Sequence, residues 1–454
     1  MAVASGIDWF ELRGGADFGG ASLAMPELLT ALRKGQKIVL LDDGSYGLLP
    51  EEWLERYGLL ARIAPGEDED GKIRFSRAQT GLLDALLAEQ GQWVFDDAFA
   101  AARDQLRQFE AIRAADAPPG FVGELRTYQK EGLGWLEFLR QFRFGGCLAD
   151  DMGLGKTVQV LALLEGRRQL RAAPTGAEGE PVGPSLAVVP RSVLFNWRQE
   201  AQRFCPALRV LEHCGADRTK DGAAHFAEYD LVLTTYGTLR RDITVLKDVA
   251  FDYVILDESQ TIKNAGTAAA KAVRLLKAPH RLCLSGTPIE NHLGELWSQF
   301  EFLNPGMLGA SRALSAGATG EAGEEHSRAL LARALRPFIL RRTKAQVAKD
   351  LPERTEQTIH CQLDTEQRRL YDELRDHYRT SLLQAVDRGG IGRAKIQILE
   401  ALLRLRQAAC HPGLIDKAKL SHPSAKLEAL LPQIQEVLEE GHKALVFSQF
   451  TSLL

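Results

Sequence analysis

The sequence GCLADDMGLGKTVQVLALL spans residues 146–164. Its first four residues form a short apolar run, and its last seven residues have the composition of an amphipathic helix. Between them lies the glycine-containing loop Asp151–Thr157. Glycines allow such a loop to wrap closely around a phosphate, so that N–H groups at a helix N-terminus point at phosphate oxygens. The pattern predicts a nucleotide-binding loop in which Lys156 reaches the β- and γ-phosphates and the Thr157 hydroxyl holds Mg²⁺.

The loop departs from the usual phosphate-loop pattern at one position. Asp150 stands where G-x-x-x-x-G-K-[ST] has its first glycine. The alternative interpretation is a glycine-rich strand-to-helix turn that carries a surface lysine. The strand, loop and helix follow each other in the order that phosphate binding requires, which favours the first interpretation.

A second apolar run, Phe251–Leu256, ends in the carboxylates Asp257 and Glu258. Such a strand delivers both carboxylates to the carboxyl edge of a sheet, where open α/β folds bind ligands. Asp257 would hold Mg²⁺, and Glu258 would polarise an attacking water. The alternative is a strand that ends in a solvated acidic turn. Phosphoryl chemistry needs both the loop and an acidic strand end, so their joint presence favours a nucleotide site.

Three more polar residues are candidates for the same site. Ser285 and Thr287 follow the apolar run Leu282–Leu284 and would sense the γ-phosphate, although a simple β-turn explains them equally well. Gln129 precedes the phosphate loop, and its amide has the donor and acceptor needed to recognise adenine. A single glutamine is more often an ordinary polar surface residue.

Composition limits the function classes. The chain has 454 residues, 26% of them charged, and a formal net charge of −4, which excludes a basic coat for nucleic acid over the whole surface but leaves a local basic groove possible. Its six cysteines show neither disulfide-framework nor zinc-site spacing. The sequence has no apolar run of membrane-spanning length and no signal-peptide pattern at its start. We therefore expect a soluble, cytoplasmic protein without a membrane partner.

The order of elements along the chain predicts an α/β fold with a parallel sheet covered on both faces by helices. Predicted strands are Gly146–Ala149, Leu186–Val189, Leu231–Thr234, Tyr253–Leu256 and Leu282–Leu284. The predicted domains are a small α/β accessory module at 1–120, the sheet-containing lobe at 121–304, a flexible loop and helical linker at 305–440, and the start of a second lobe at 441–454. In the module we expect a hairpin around Asp42-Asp43-Gly44 and a capped helix starting at Ser76.

An ordered series of motifs gives the chain a family resemblance. The series is L-R-x-Y-Q at Leu125–Gln129, D-x-G-x-G-K-T at Asp151–Thr157, V-V-P-x-S-x-x-x-N-W at Val188–Trp197, T-T-Y at Thr234–Tyr236, D-E-S-Q at Asp257–Gln260, I-K-N at Ile262–Asn264, S-G-T-P-I-E-N at Ser285–Asn291, P-F-I-L-R-R-T-K at Pro337–Lys344 and L-R-Q-x-x-x-H-P at Leu405–Pro412. From about Gly123 onward the chain resembles the Swi/Snf family of helicase-like ATPases, within the DEAD/DEAH-box superfamily two. Residues 7–63 resemble the accessory segment of bacterial members.

The resemblance implies two RecA-like lobes, with ATP and Mg²⁺ bound between them and double-stranded DNA crossing both. It implies an ATPase that moves along duplex DNA, with Lys156, Asp257 and Glu258 as catalytic residues and Thr157 and Asp257 as metal ligands. The residues implied to bind the nucleotide are Gln129, Gly153, Leu154, Gly155, Lys156, Thr157, Ser285 and Thr287. The residues implied to face DNA are Arg191, Asn196, Thr234, Tyr236, Lys263, Asn264, Ser448 and Gln449. Cations there would hold phosphates rather than recognise bases, although Arg191 and Lys263 are almost equally well explained as solvated cations.

The chain also departs from the family pattern. The second motif is D-E-S-Q rather than D-E-A-H. The basic run Arg341–Lys344 is not a departure, and the resemblance implies that it lies in the connection between lobes. Lys443–Phe447 is predicted as a buried strand that either joins the first sheet or opens a second lobe that is cut short. An arginine finger from later segments would then be missing, so we expect feeble turnover from this chain alone. The alternatives are a strand-separating helicase and a catalytically arrested, nucleotide-dependent DNA-binding module. A bacterial, nucleoid-associated location and a DNA-bound protein partner, such as a polymerase, complete the expectations.

Overall fold

The structure is a computed structural model, and it describes residues 2–5, 9–65, 72–87, 94–107, 113–172, 183–216, 218, 223–286, 293–309, 329–350 and 355–453. The chain divides into two compact units, Met1–Leu351 and Pro352–Leu454. Strands in chain order are β1 (Ala2–Ser5), β2 (Trp9–Arg13), β3 (Gly15–Asp17), β4 (Ser22–Ala24), β5 (Ile38–Leu40), β6 (Tyr46–Leu48), β7 (Arg74–Ser76), β8 (Val94–Phe95), β9 (Gly146–Leu148), β10 (Ser185–Val189), β11 (Val210–His213), β12 (Leu231–Thr235), β13 (Tyr253–Leu256), β14 (His280–Leu284) and β15 (Ile339–Leu340).

Helices in chain order are α1 (Met25–Arg33), α2 (Glu51–Ile63), α3 (Thr80–Leu87), α4 (Asp97–Arg107), α5 (Thr127–Gln141), α6 (Lys156–Ala172), α7 (Leu194–Phe204), α8 (Ala223–Phe226), α9 (Tyr236–Leu246), α10 (Ala268–Arg274), α11 (Leu293–Leu303), α12 (Lys344–Val347), α13 (Thr365–Cys410) and α14 (Ala425–Glu439). Among the described residues, none of these helices is both long enough and apolar enough to cross a membrane.

The centre of the first unit is a seven-stranded sheet in the order β11-β12-β10-β13-β14-β9-β15. Neighbouring strands pair in parallel throughout. The inner strands are mainly apolar because both faces of the sheet are covered, as in β10 and β13, where every residue is buried. The predicted α/β fold with a parallel sheet is confirmed, and the five strands predicted for this sheet are present with ends that shift by at most two residues.

The N-terminal part of the first unit has a four-stranded sheet, β7-β2-β1-β8, and the two hairpins β3-β4 and β5-β6. The hairpin expected around residues 42–44 is present as β5 and β6. Ser76 and Gln79 form the predicted capping box. The core of this part is continuous with the core of the parallel sheet, since one buried cluster includes Phe75 and Leu83 as well as Leu161 and Phe338.

The second unit is mainly helical, as expected after residue 329. Helix α13 is interrupted at Gly390, whose φ of 72° lies in the left-handed region. The strand predicted at Lys443–Phe447 is wrong, because residues 441–447 are exposed and have no regular secondary structure. The side chains of Leu445 and Phe447 are 85% and 88% exposed. An apolar run forms a strand only beside a partner strand, and the second unit has none in its described residues.

Candidate active site at the carboxyl edge of the sheet

The topology of the sheet brings the predicted nucleotide-site residues together. Strands β9, β14 and β13 are neighbours and run in parallel, so the segments that follow them leave at the same edge. The phosphate loop follows β9, Ser285 follows β14, and Asp257 with Glu258 follows β13. Their charges interact as well, because the Asp257 and Glu258 carboxylates both act on the pKa of Lys156.

The phosphate loop has a backbone that only glycine adopts easily at two positions. Gly153 and Gly155 have φ angles of 85° and 75°. A Cβ atom on Gly155 would lie 2.5 Å from Nε2 of Gln129, so this glycine is also required by a close approach. Helix α6 begins directly at Lys156, and the first N–H groups of a helix have no partner inside it. The loop therefore leaves backbone donors available to an anion.

Gln129 lies against this loop, with both ends of its amide engaged. Its Oε1 accepts from the N–H of Arg126 at 2.9 Å, which caps α5, and its Nε2 donates to the carbonyl of Leu154 at 3.2 Å. The hydroxyl of Tyr128 donates to the same carbonyl, also at 3.2 Å. One N–H of Nε2 and one lone pair of Oε1 remain after these bonds, and recognition of adenine by Gln129 would use them.

Lys156 lies between the loop and the acidic strand end. Its Nζ donates to the carbonyl of Asp150 at 2.7 Å and to that of Asp151 at 3.4 Å. Burial lowers the pKa of this ammonium, and the carboxylates of Asp150, Glu258, Asp257 and Asp151 oppose that shift. The carboxylates favour the charged form of the partly desolvated ammonium, and a charged ammonium can donate to phosphate oxygens.

Asp257 is held by two side chains from other elements. Its Oδ2 accepts from the indole Nε1 of Trp197 at 2.8 Å, and its backbone carbonyl accepts from the hydroxyl of Tyr236 at 2.8 Å. Burial raises the pKa of the Asp257 carboxyl, while the bonds from Trp197 and from the Glu258 N–H act against the increase. Burial and the nearby charge of Asp257 also raise the pKa of Glu200 on α7. The Asp257 carboxylate is thus fixed in orientation.

Glu258 and Ser285 are joined through Gln260. The backbone of Glu258 is left-handed, with φ of 48°, a conformation that is unfavourable for a residue with a side chain and is often found at functional sites. Its Oε2 accepts from Nε2 of Gln260 at 2.6 Å, and Oγ of Ser285 donates to Oε1 of the same amide at 3.3 Å. The glutamine that distinguishes D-E-S-Q from D-E-A-H therefore connects two strand ends inside the first unit. The other member of the small polar pair, Thr287, lies outside the described residues.

The residues predicted to hold Mg²⁺ suit that ion. In the described part of the chain, no three His, Cys, Asp or Glu side chains form a cluster that could ligate a metal. Mg²⁺ is commonly bound by one or two protein oxygens together with substrate phosphates and water. Thr157, at the second position of α6, and Asp257 supply that kind of partial ligand set.

The residues predicted to face DNA fall into two groups. Arg191, Asn196 and Asn264 are exposed, and so is Lys263, which forms a 3.3 Å ion pair with Glu295. Thr234 and Tyr236 are buried and donate to the carbonyls of His213 and Asp257. In the second unit Gln449 is exposed and Ser448 is half-buried, with its hydroxyl bonded to the backbone of Phe450. DNA contact stays a prediction for all of them, and Thr234 and Tyr236 would act through the position of the backbone.

Sequence reasoning missed several residues that shape the site. The sequence alone identifies Trp197 only as part of a motif, and Tyr128 only as the neighbour of Gln129. Arg342, expected in a connection between lobes, is buried against Asp150 at 2.5 Å. An available signal was Asp150 itself, since a carboxylate in a buried loop position requires a cation nearby. The basic run Arg341–Lys344 contains the cation that pairs with Asp150.

Comparison with known proteins identifies the family. The model of the SNF2-related domain matches residues 128–414, which is more than half of the chain. A putative ATP-dependent helicase/translocase of Bacillus subtilis, YwqA, is 41% identical over 74% of this chain and 36% of its own length. An uncharacterized ATP-dependent helicase of Mycoplasma pneumoniae is 34% identical over 73% of this chain and 31% of its own length. The chain therefore spans about a third of the length of these bacterial relatives.

A yeast protein and a solved archaeal structure are also similar to this chain. The yeast TATA-binding protein-associated factor MOT1 is 33% identical over 71% of this chain and 18% of its own length. The Sulfolobus solfataricus SWI2/SNF2 ATPase core, solved in complex with double-stranded DNA, is 38% identical, with 74% of this chain and 69% of that chain covered and a TM-score of 0.47. Because the SNF2-related domain matches more than half of this chain, the chain belongs to the Swi/Snf family of helicase-like ATPases.

Proposed function

We propose that this chain binds Mg·ATP at the carboxyl edge of its parallel sheet, hydrolyses it, and uses the energy to move along double-stranded DNA. The observation that carries the proposal is the meeting of Lys156, Ser285 and the Asp257–Glu258 pair at that edge. Family membership supports the use of ATP. Duplex DNA as the track, and a protein bound to that DNA as the load, are the finer parts of the proposal.

Each residue of the site has a role that follows from its contacts. The N–H groups of the loop and the start of α6 would bind the phosphates, and the Lys156 ammonium would balance their charge. When bound, Mg²⁺ would neutralise charge on the β- and γ-phosphates, with Thr157 and Asp257 as its protein ligands. Glu258 follows Asp257 directly in the sequence, and its carboxylate would orient a water molecule and accept its proton. Gln260 holds Glu258 in place at 2.6 Å.

The site is connected to the segments that would face DNA. Arg191 and Asn196 lie on the segment after β10, and Tyr236 starts the helix after β12, at the same edge of the sheet as the nucleotide site. Trp197 and Tyr236, which belong to these segments, hold Asp257 directly. Phosphate contacts at Arg191 and Lys263 would make binding sensitive to salt and tolerant of sequence.

A single-turnover assay with radiolabelled ATP, with and without duplex DNA, tests the proposal, because it detects slow hydrolysis. We expect DNA to increase hydrolysis and Glu258→Gln to abolish it while leaving ATP binding intact. The matched control is Glu228→Gln, a change of the same kind at an exposed position. Bound ATP with no hydrolysis above that of Glu258→Gln would instead establish an arrested binding module. ATP-dependent separation of a forked duplex would establish a strand-separating helicase.

A further inference from the structure

The segment after β15 runs beside the phosphate loop. Strand β15 is the edge strand next to β9, and the N–H of Ala149 donates to the carbonyl of Leu340 at 2.7 Å. The contact continues past the strand, since the N–H of Asp151 donates to the carbonyl of Arg342 at 3.0 Å. The N–H of Lys344 in turn donates to Oδ2 of Asp151 at 2.9 Å. Residues 342–344 therefore follow the loop from its first residue.

Arg342 is buried at the start of the loop, where four of its five side-chain N–H groups donate hydrogen bonds. Its Nε and Nη2 bind the two carboxylate oxygens of Asp150 at 3.0 and 2.5 Å. Its Nη2 also donates to Oε1 of Gln159 at 2.9 Å, and its Nη1 donates to the carbonyl of Tyr128. The Asp150 side chain is completely buried, so this two-pronged pair is the principal compensation for its charge. One guanidinium thus connects α5, the loop and α6.

Lys344 lies over the outer side of the loop. A Cβ atom on Gly153 would lie 3.5 Å from both Cε and Nζ of Lys344. The next residues anchor the segment, because Val347 and Ala348 pack against Tyr128 and Leu154. Lys156 also contacts this segment, through its bond to the carbonyl of Asp150. The loop consequently has two ammonium groups close to it, although only Lys156 belongs to the phosphate-loop motif.

We propose that residues 342–344 form the outer wall of the nucleotide site, in which Arg342 positions the phosphate loop and Lys344 binds the phosphates of the nucleotide. The proposal rests on the proposed function, since it assumes that the loop binds a nucleoside triphosphate. Asp150 replaces the first glycine of the usual motif. Arg342 fixes the Asp150 side chain and so holds the backbone at that position. Lys344 adds a second positive charge to that of Lys156, and this charge comes from outside the loop sequence.

Affinities for ATP and for inorganic tripolyphosphate, measured by calorimetry on the full chain, test the role of Lys344. We expect Lys344→Ala to weaken both by about three- to tenfold at low salt, with a smaller effect at high salt, because an exposed charge is screened. Lys344→Arg retains the charge and should bind nearly as well as the unmodified chain. The matched control is Lys349→Ala, which removes another exposed lysine of the same segment and should leave both affinities unchanged. Equal behaviour of Lys344→Ala and Lys349→Ala would overturn this role.

The role of Arg342 is tested by separating stability from binding. Arg342→Met leaves the Asp150 charge buried and unpaired, so both the melting temperature and the ATP affinity should fall. Adding Asp150→Asn removes the unpaired charge, and we expect the melting temperature to recover while the affinity stays low. Recovery of both quantities in the double variant would reduce Arg342 to a structural residue and overturn its positioning role.

Lys156→Ala separates the failure of this inference from the failure of the proposed function. If Lys156→Ala binds ATP as well as the unmodified chain, the proposed nucleotide site itself is wrong. If Lys156→Ala loses binding but Lys344→Ala does not, the nucleotide site stands and the outer wall is wrong.

Discussion

Asp257 illustrates how a single carboxylate in this site is fixed by its surroundings. The indole of Trp197 holds one of its carboxylate oxygens, and the hydroxyl of Tyr236 holds its carbonyl, each at 2.8 Å. The two donors come from helices that follow neighbouring strands, β10 and β12. Groups that orient a metal ligand from outside are nearly as important to affinity as the ligand itself. We therefore expect Trp197 to act as a positioning residue for Mg²⁺.

Trp197→Phe tests this expectation by removing the indole donor while keeping an aromatic ring in the core. The Mg²⁺ concentration needed for half-maximal ATP binding should rise about tenfold, the lower end of the effect of losing an outer-shell partner of a metal site. A titration of ATP binding against Mg²⁺ measures it.

The control for that experiment is Trp297→Phe. The Trp297 indole also donates a hydrogen bond, to the carbonyl of Gly309 at 2.7 Å, but among the residues that the structure describes it has no bond to the site. It should leave the Mg²⁺ requirement unchanged. An unchanged requirement in Trp197→Phe would show that the Trp197 bond serves packing alone.

Individual residues of the site differed in how well the sequence could predict them. Asp257 and Glu258 directly follow one apolar strand, and Lys156 follows another after a glycine-containing loop, so local pattern is enough to bring them to one edge of the sheet. Arg342 is 192 positions from its partner Asp150, and only the folded sheet brings the two together. Ser285 was found, but its link to Glu258 through Gln260 depends on side-chain geometry that no pattern encodes.

At the scale of elements, buried strands were predictable and edge strands were not. Strand β10 is buried along its whole length, and four of its five residues, Leu186–Val189, are consecutive apolar residues. Strand β11, at one edge, has only one buried residue, and β15, at the other edge, has two residues, both partly exposed. Short edge strands have little apolar signal because one side faces solvent or loops. The segment that forms the outer wall follows such a strand, which explains why its place beside the loop was not foreseen.

Gln79 connects the N-terminal module to the lobe and gives a test at this scale. Its Oε1 accepts from the Ser76 N–H at 2.9 Å, and its Nε2 donates to the carbonyls of Ile63 and Met307 at 3.3 and 3.2 Å. Gln79→Ala leaves these buried groups unpaired, so we expect the free energy of unfolding to fall by about 1–3 kcal/mol. Urea denaturation followed by tryptophan fluorescence measures the change.

Gln36→Ala is the control, because Gln36 is exposed and its side chain has no bond to the lobe among the described residues. It should change the free energy of unfolding by less than about 0.5 kcal/mol. The shared core also predicts that the module and the lobe unfold in one transition in both variants. A separate early transition for the module in the unmodified chain would contradict a shared core.

For the whole molecule, charge is the constraint on DNA binding. The formal net charge is −4, so attraction to a polyanion must come from a local group of cations rather than from the total. Arg191 is exposed at the carboxyl edge of the sheet, whereas Lys263 is already partly neutralised by Glu295 at 3.3 Å. Arg191 is therefore the better candidate for a full phosphate contact, and Lys263 for a weaker one.

Arg191→Ala should weaken binding to duplexes of different sequence by the same factor, because a phosphate contact carries no sequence information. Loss of one such contact should also reduce the slope of log affinity against log salt by about 0.9. Fluorescence anisotropy with two unrelated duplexes over a range of salt concentrations measures both quantities. Arg77→Ala, which removes an exposed arginine of the N-terminal module, is the matched control and should change neither. An equal loss of DNA affinity in Arg77→Ala and Arg191→Ala would mean that the total charge, not a local contact, attracts DNA. If Arg191→Ala lost affinity for only one of the two duplexes, Arg191 would contact bases rather than phosphates.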